Sequence, residues 1–323
     1  MSNTRIAIDW LTASVSNYTS PTDFGKLLGL EFAGKPSGRW GYKGCAVAAG
    51  GGIEVLYDGH SEGMGACLVL TGEGCRIIES LPFFAGWDSF LKLLVDSGAK
   101  FSRVDVSIDD LDGNISRETV KAAFEDVEAG GTAIVFRGSL MDYRRSTKGG
   151  VPSETWYLGA RTSTAFTRIY TKGIQTEGGE DWLRFEFEFK AERATGIVHK
   201  LINGGWDAVK AAIRGVVEFK DMTHETTDRT RRRVASWWAD LLGQAKSKWS
   251  PKEWALSSVE KLGSWVTRQV SPALALLVEI DGGSLEWVYK LLDEGKRRRS
   301  KRHIAMFDAF SARSLAQVGT GGL

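Results

Sequence analysis

The sequence predicts an α+β fold: a central antiparallel sheet with flanking helices over residues 1–200, followed by a mainly helical region over 201–317. Three observations carry this reading. Runs such as Arg5-Ile-Ala-Ile-Asp9 and Arg103-Val-Asp105-Val-Ser107-Ile-Asp109 alternate polar and apolar residues with the period of two that a half-buried strand requires. Segments with apolar residues at helical spacing stand between them. After Lys190 the strand signals give way to helical ones.

In chain order, the opening run is followed by two short β-rich stretches, Ile53-Glu-Val-Leu-Tyr57 and Ala66-Cys-Leu-Val-Leu70, set apart by glycine clusters. Trp87-Asp-Ser-Phe-Leu-Lys-Leu-Leu-Val-Asp96 reads as a helix. Ser116 is placed to cap another through Val120, Ala122, Ala123, Phe124 and Val127. Further on, Trp237, Trp238, Leu241 and Leu242 fall on one helical pattern, and Trp254, Val259, Leu262 and Val266 on a second. Pro251 suits the first turn of a helix beginning at Ser250. The boundary falls near 190–225, and residues 318–323 are expected to be a disordered tail.

Composition narrows the function. With 42% hydrophobic and 25% charged residues the chain has the material for a sizeable core, and no apolar run is long enough for a membrane span. A soluble cytoplasmic protein with no membrane partner is expected. Cys45, Cys67 and Cys75 show no metal-cage spacing, and the four histidines lie far apart, so both residue types are read as structural. Net charge is +2, yet residues 221–323 carry 17 basic and 12 acidic side chains. Much of that excess sits in Arg229-Thr-Arg231-Arg232-Arg233 and Lys296-Arg297-Arg298-Arg299-Ser-Lys301-Arg302. Such runs suit phosphate contacts, and they also suit a solvated helix face.

The chemistry lies in three strands. In the first, Arg103, Asp105, Ser107 and Asp109 share one face while Val104, Val106 and Ile108 fill the core. In Leu183-Arg184-Phe185-Glu186-Phe187-Glu188-Phe189-Lys190, the phenylalanines are buried and Arg184, Glu186, Glu188 and Lys190 face the other way. Like-charged glutamates at that spacing repel unless something positive sits among them. A sheet offering Asp105, Asp109, Glu186 and Glu188 from one face would match Mg2+ or Mn2+. Arg184 and Lys190 equally fit as plain cross-strand partners of the acids. In the third strand, Arg168, Tyr170 and Lys172 share a face. A tyrosine between two cations and near a metal would favour its phenolate, the better nucleophile. Tyr157 competes for that role.

The ordered set Arg-Val-Asp-Val-Ser-Ile-Asp (103–109), Tyr-Leu-Gly-Ala-Arg-Thr-Ser (157–163), Arg-Ile-Tyr-Thr-Lys (168–172) and Trp-Leu-Arg-Phe-Glu-Phe-Glu-Phe-Lys (182–190) resembles the Rep_trans replication initiation factors. These serve rolling-circle plasmids, filamentous phages and some integrative conjugative elements. The resemblance covers residues 100–190 well, Ile8-Asp9-Trp10-Leu11 modestly and the C-terminal third hardly at all. It implies a metal-dependent site-specific DNA endonuclease and strand transferase on a Rep-nuclease-like fold, with residues 1–200 as the nicking domain, while the arginine runs make 201–317 the expected DNA-binding or accessory region. Tyr170 would attack the origin phosphodiester, leaving a 5′-phosphotyrosine and a free 3′-hydroxyl. Asp105 maps onto a metal ligand, and the shared face extends that role to Asp109, Glu186 and Glu188, for Mg2+ or Mn2+.

Arg168 and Lys172 would hold phosphate or lower the tyrosine pKa. Arg161, Arg229, Arg231, Arg232, Arg233, Arg297, Arg298 and Arg299 are the expected DNA contacts. Origin DNA, double- and single-stranded, is the expected partner. The resemblance adds a host helicase and polymerase and a homodimer. Two departures stand out: many members have Asp or Asn where this chain has Thr171, and the paired histidines of the HUH nucleases are missing. A non-catalytic replication-control protein on the same fold, and a phosphoesterase that uses water, are the competing readings.

Overall fold

The computed structural model describes residues 4–136, 138, 140–148, 151–172, 182–222, 231–243, 266–299 and 307. The chain divides into two compact units, Met1–Lys248 and Trp249–Leu323. Strands of the first unit are β1 (Thr4–Val15), β2 (Phe32–Lys35), β3 (Tyr42–Ala48), β4 (Ile53–Gly59), β5 (Ala66–Leu70), β6 (Ala99–Asp110), β7 (Ile134–Phe136), β8 (Met141–Lys148), β9 (Val151–Leu158), β10 (Ala165–Thr171), β11 (Leu183–Lys190) and β12 (Val217–Phe219). Ten of them form one sheet in the order β2-β3-β4-β5-β1-β6-β11-β10-β9-β8, antiparallel wherever strands pair, while β7 and β12 make a separate ribbon. The predicted α+β class, with its central antiparallel sheet, is the one observed.

Alternation explains the middle of the sheet. Val104, Val106 and Ile108 of β6 and Phe185, Phe187 and Phe189 of β11 turn to one face and are fully buried. Helices α5 (Glu192–Arg214) and α3 (Trp87–Asp96) pack there. Trp238 of α6 (Ser236–Leu242) packs at a tilt on Phe185 and Phe187, its ring centre 5.8 and 6.4 Å from theirs. Burying aromatics of this size makes this layer the main apolar contribution to the unit. Helix α5 turns at Gly205, whose φ of 61° only glycine adopts at little cost. The boundary expected at residue 200 falls inside α5, and the compact unit continues to Lys248.

The shorter elements follow their local signals. Pro21 opens α1 (Pro21–Leu28), where Ser20 and Asp23 form a capping box. Ser116 accepts the Thr119 amide at 3.1 Å to start α4 (Arg117–Glu128), and Thr71 accepts that of Gly74 to start α2 (Gly72–Ser80). Cys45, Cys67 and Cys75 are buried and free. Gly65 precedes β5 with φ +63°, and a Cβ there would run into the Val15 carbonyl oxygen. Gly65→Ala is therefore expected to cost about 2–3 kcal/mol or more, from left-handed strain plus a clash with backbone. A urea midpoint indistinguishable from the parent's would refute this.

Among the described residues of the second unit, Ser271–Ile280 and Glu286–Arg297 are helical, the first with proline in its opening turn. The helices expected around Trp254, Val259 and Leu262 and at Pro251, together with Arg229 and the 318–323 tail, lie outside the described residues. No described helix is long and apolar enough to cross a membrane.

Candidate active site on the acidic face of the sheet

The register of β1, β6, β11, β10 and β9 sets the chemistry-bearing residues in rows. One row runs Trp10, Asp105, Glu188, Phe166. The next runs Ala7, Ser107, Glu186, Arg168, Tyr157, and the third Arg5, Asp109, Arg184, Tyr170, Thr155. The shared face foreseen for Arg103, Asp105, Ser107 and Asp109, for Arg184, Glu186 and Glu188, and for Arg168 and Tyr170 is thus a single face.

That face is not open to solvent, as an amphipathic strand would leave it. Asp105 and Asp109 are each 1% exposed, Ser107 1%, Glu188 5%, Glu186 7% and Arg184 7%. Burying carboxylates is costly unless they are paired, and arginine supplies the pairing. Arg103 grips Asp105 through two hydrogen bonds of 2.8 and 2.6 Å, lies 3.0 Å from Glu188 and rests its guanidinium 4.5 Å from the Trp10 ring. Arg184 holds Asp109 the same way, at 2.6 and 2.7 Å, and reaches Asp9 at 3.1 Å. Lys190 pairs with Glu188 at 2.6 Å. Arg184 thus makes a cross-strand pair, whereas Lys190 pairs within its own strand, two residues from Glu188.

Arg168 occupies the centre. Its Nη2 contacts Glu186 Oε1 and lies 3.4 Å from Asp105 Oδ2 and 3.6 Å from Glu188 Oε2, so three carboxylate oxygens converge on one nitrogen. Arg168 Nε and the Ser107 hydroxyl, both buried, find no hydrogen-bond partner among the described residues. Burial pushes Asp105 up to about 7, against the pull of Arg103 and with the added repulsion of Glu186 and Glu188. No group of three or more His, Cys, Asp or Glu among the described residues stands in a ready-made metal arrangement. Asp105, Glu186 and Glu188 are oxygen donors of the type a hard cation takes, and here their oxygens are engaged by Arg103, Arg168 and Lys190.

Tyr170 donates to Glu186 Oε2 at 2.9 Å. Burial, and then the Glu186 charge, raise its pKa, with Arg184 opposing. The phenol is therefore held protonated, contrary to the expectation that flanking cations would favour the phenolate. The reason is the register: Arg168 faces Glu186 and is bound to carboxylates, and the Lys172 ammonium lies over the Tyr170 ring, 5.9 Å from its centre. The hydroxyl therefore meets an acceptor. Thr171 points to the opposite, apolar face, buried and with its hydroxyl unpartnered among the described residues, so it does not touch the Tyr170 hydroxyl.

Tyr157 shares the face, stacked on Phe166 at 5.7 Å and 19°, and Arg161 lies over Phe166 at 5.5 Å. The remaining arginines of the prediction are not brought to this face by any described contact. Arg232 lies 3.9 Å from Asp126, and Arg231 and Arg233 flank it, exposed. Arg297 pairs with Asp293 and Arg298 with Glu294, each at 2.6 Å along one helix, while Arg299 lies 5.7 Å from the Phe307 ring centre.

Asp9 is the site residue that sequence reasoning missed. A bulge in β1 lies between Ile8, which pairs with Val106, and Trp10, which pairs with Asp105, so Asp9 is the unpaired extra residue. Its carboxylate packs where a Gly72 Cβ would stand, 3.1 Å from Oδ1, at the start of α2, and Arg76 of that helix donates to the Ile8 carbonyl at 2.5 Å. A helix N-terminus favours such an anion. The only hint in the sequence was the Ile8-Asp9-Trp10-Leu11 match.

Residues 5–94 match the rolling circle replication initiation protein N-terminal domain. Over 260 residues the chain is 25% identical to a protein of Bacillus subtilis (strain 168) described as putative DNA relaxase NicK, covering 76% of this chain and 72% of the relative. The solved structure of a rolling circle replication initiator protein from Geobacillus stearothermophilus shares the fold with a TM-score of 0.65 at 23% identity, covering 76% of this chain and 99% of that one. Residues 99–292 match the replication initiation factor family Rep_trans, a span that takes in β6, β9, β10 and β11 with every acid on the buried face except Asp9. The chain belongs to the Rep_trans family of replication initiation factors.

Proposed function

We propose that this initiation factor nicks one strand of origin DNA with Tyr170 as the nucleophile, forming a 5′-phosphotyrosine and a free 3′-hydroxyl from which rolling-circle replication starts. The observation that carries this is the 2.9 Å hydrogen bond from the Tyr170 hydroxyl to Glu186, which supports a reading of Glu186 as the base for that oxygen. The relaxase among the relatives supports strand nicking as the activity.

Glu186 Oε2 takes the proton as Tyr170 Oη bonds to phosphorus. The P–O3′ bond breaks, and the departing 3′-oxygen takes a proton from solvent. Reversal by the 3′-hydroxyl rejoins the strand. Arg168 and Lys172 neutralise phosphate oxygens, a role for which the bidentate arginine fork is suited. Asp105, Glu186 and Glu188 would hold Mg2+ or Mn2+, which when bound stabilises charge on the phosphate as a Lewis acid. To do so Asp105 would exchange its two bonds from Arg103 for the cation, while Asp109 keeps both its oxygens on Arg184 as the anchor of that arginine.

The test is to incubate the protein with supercoiled plasmid bearing the element's own origin, in Mn2+ or Mg2+ and in EDTA, and then denature. Nicked circles carrying protein on the 5′ end, with a 3′ end that a polymerase extends, are the expected products, and EDTA should remove them. Nicking without attached protein would point to water as the nucleophile. Binding without nicking would point to a replication-control protein.

A further inference from the structure

The face that carries Tyr170 continues past it to the edge of the sheet. Pairing of β10 with β9 and of β9 with β8 extends the third row as Tyr170, Thr155, Arg144 and the second as Arg168, Tyr157, Asp142. Arg144 thus stands in the nucleophile's own row, two inter-strand spacings away, which is about 10 Å. Only the small Thr155 lies between them. The Arg144 guanidinium lies 5.5 Å from the Tyr157 ring centre, and Asp142 accepts from its Nε at 2.9 Å. Tyr157 stacks on Phe166, and Arg161 covers Phe166 from the loop after β9. The order is arginine, aromatic, aromatic, arginine.

In this ladder the rings are capped and offer no open face to a base. The arginines are the exposed part: the Arg144 side chain is 68% accessible, and Arg161 is exposed. A guanidinium resting on an aromatic face keeps its orientation while its outer N–H groups point to solvent, which lowers the entropy lost when it binds phosphate. Asp142 takes Nε of Arg144 and leaves the Nη donors. Tyr170 is half-buried, so a strand splayed from its complement reaches the hydroxyl more readily than a paired one, which favours a single strand over a duplex.

We propose that Arg144 and Arg161, held on the Tyr157–Phe166 stack, form a phosphate rail that fixes the single strand flanking the scissile phosphate beside Tyr170. This rests on Tyr170 as the reacting hydroxyl. The rail carries affinity and register and reads no sequence.

The test uses the full chain with Tyr170→Phe, so that cleavage does not intervene. Binding of a labelled single-stranded oligonucleotide from the origin, and of the duplex of the same sequence, is followed by anisotropy at several salt concentrations. Adding Arg144→Gln and Arg161→Gln should weaken single-strand binding by about tenfold or more and flatten the slope of log K against log[salt] by about 1.4, two phosphates at ~0.7 each. A scrambled oligonucleotide should lose as much. Tyr157→Leu, which removes the support under Arg144, should reproduce part of the loss. Lys92→Gln with Lys121→Gln, two exposed helix cations paired with Asp96 and Glu125, removes equal charge and should leave the slope alone. An unchanged slope in the arginine variant, an equal loss on the duplex, or a parent that does not bind the single strand overturns the rail. Failure of the nucleophile reading shows up separately, as absence of the covalent adduct in protein that retains Tyr170.

Discussion

Tyr170→Phe should abolish protein-linked DNA and lower origin nicking by about a thousandfold or more, because loss of the nucleophile removes the reaction path and leaves only binding. The substitution deletes one oxygen, and its site is lined by Glu186 and Arg184 in a sheet whose other face is packed on aromatics, so the fold is expected to survive. The variant should still bind origin DNA. Tyr157→Phe provides the contrast: the ring keeps its stack on Phe166, and the covalent adduct should form. If the adduct persists in Tyr170→Phe and disappears in Tyr157→Phe, the nucleophile is Tyr157. If nicking persists in both without adduct, water attacks, and the Tyr170–Glu186 hydrogen bond belongs to the architecture of the site.

The alternation of β6, β10 and β11 was enough to place Asp105, Glu186, Glu188, Arg168 and Tyr170 on one face, because side-chain direction in a strand has a fixed period of two. It did not tell how that face is finished. Whether Asp105 is open or buried depends on Arg103 lying over Trp10, a contact made across strands far apart in sequence. The same holds for Tyr170. Its neighbours in the chain are cations, yet its hydroxyl meets a carboxylate from β11, since cross-strand register and not sequence adjacency decides the partner. Asp9 was hidden for another reason: a bulge breaks the period on which any pattern argument depends. The reach of the first unit past residue 200 followed from α5, whose apolar stripe answers β6 and β11 and so belongs to their core.

Arg184→Met should be the most destabilising single change on the acidic face. Arg184 is buried, makes two hydrogen bonds to Asp109 and a third contact to Asp9, and joins β11 to β6 and to the bulge of β1. Burial works against its charge, but Asp109 and Asp9 outweigh that and raise its pKa, so the guanidinium is held firmly charged. Methionine of similar length would leave Asp109, 1% exposed, without a partner, and stranding one member of a buried pair costs about 3–5 kcal/mol. For a unit of this size that is roughly a 10 °C fall in Tm. Arg184→Lys should lose less, since it keeps the charge, yet it cannot grip Asp109 with two bonds and reach Asp9 together. The decisive comparison is the double variant Arg184→Met with Asp109→Leu, which removes the stranded charge and should recover most of the loss, because a buried pair contributes far less than the penalty for breaking it. Urea midpoints of the parent, the two single variants and the double give the coupling directly. A loss below about 1 kcal/mol for Arg184→Met would mean that water reaches Asp109, and that the clamp does not hold β1 to the centre of the sheet.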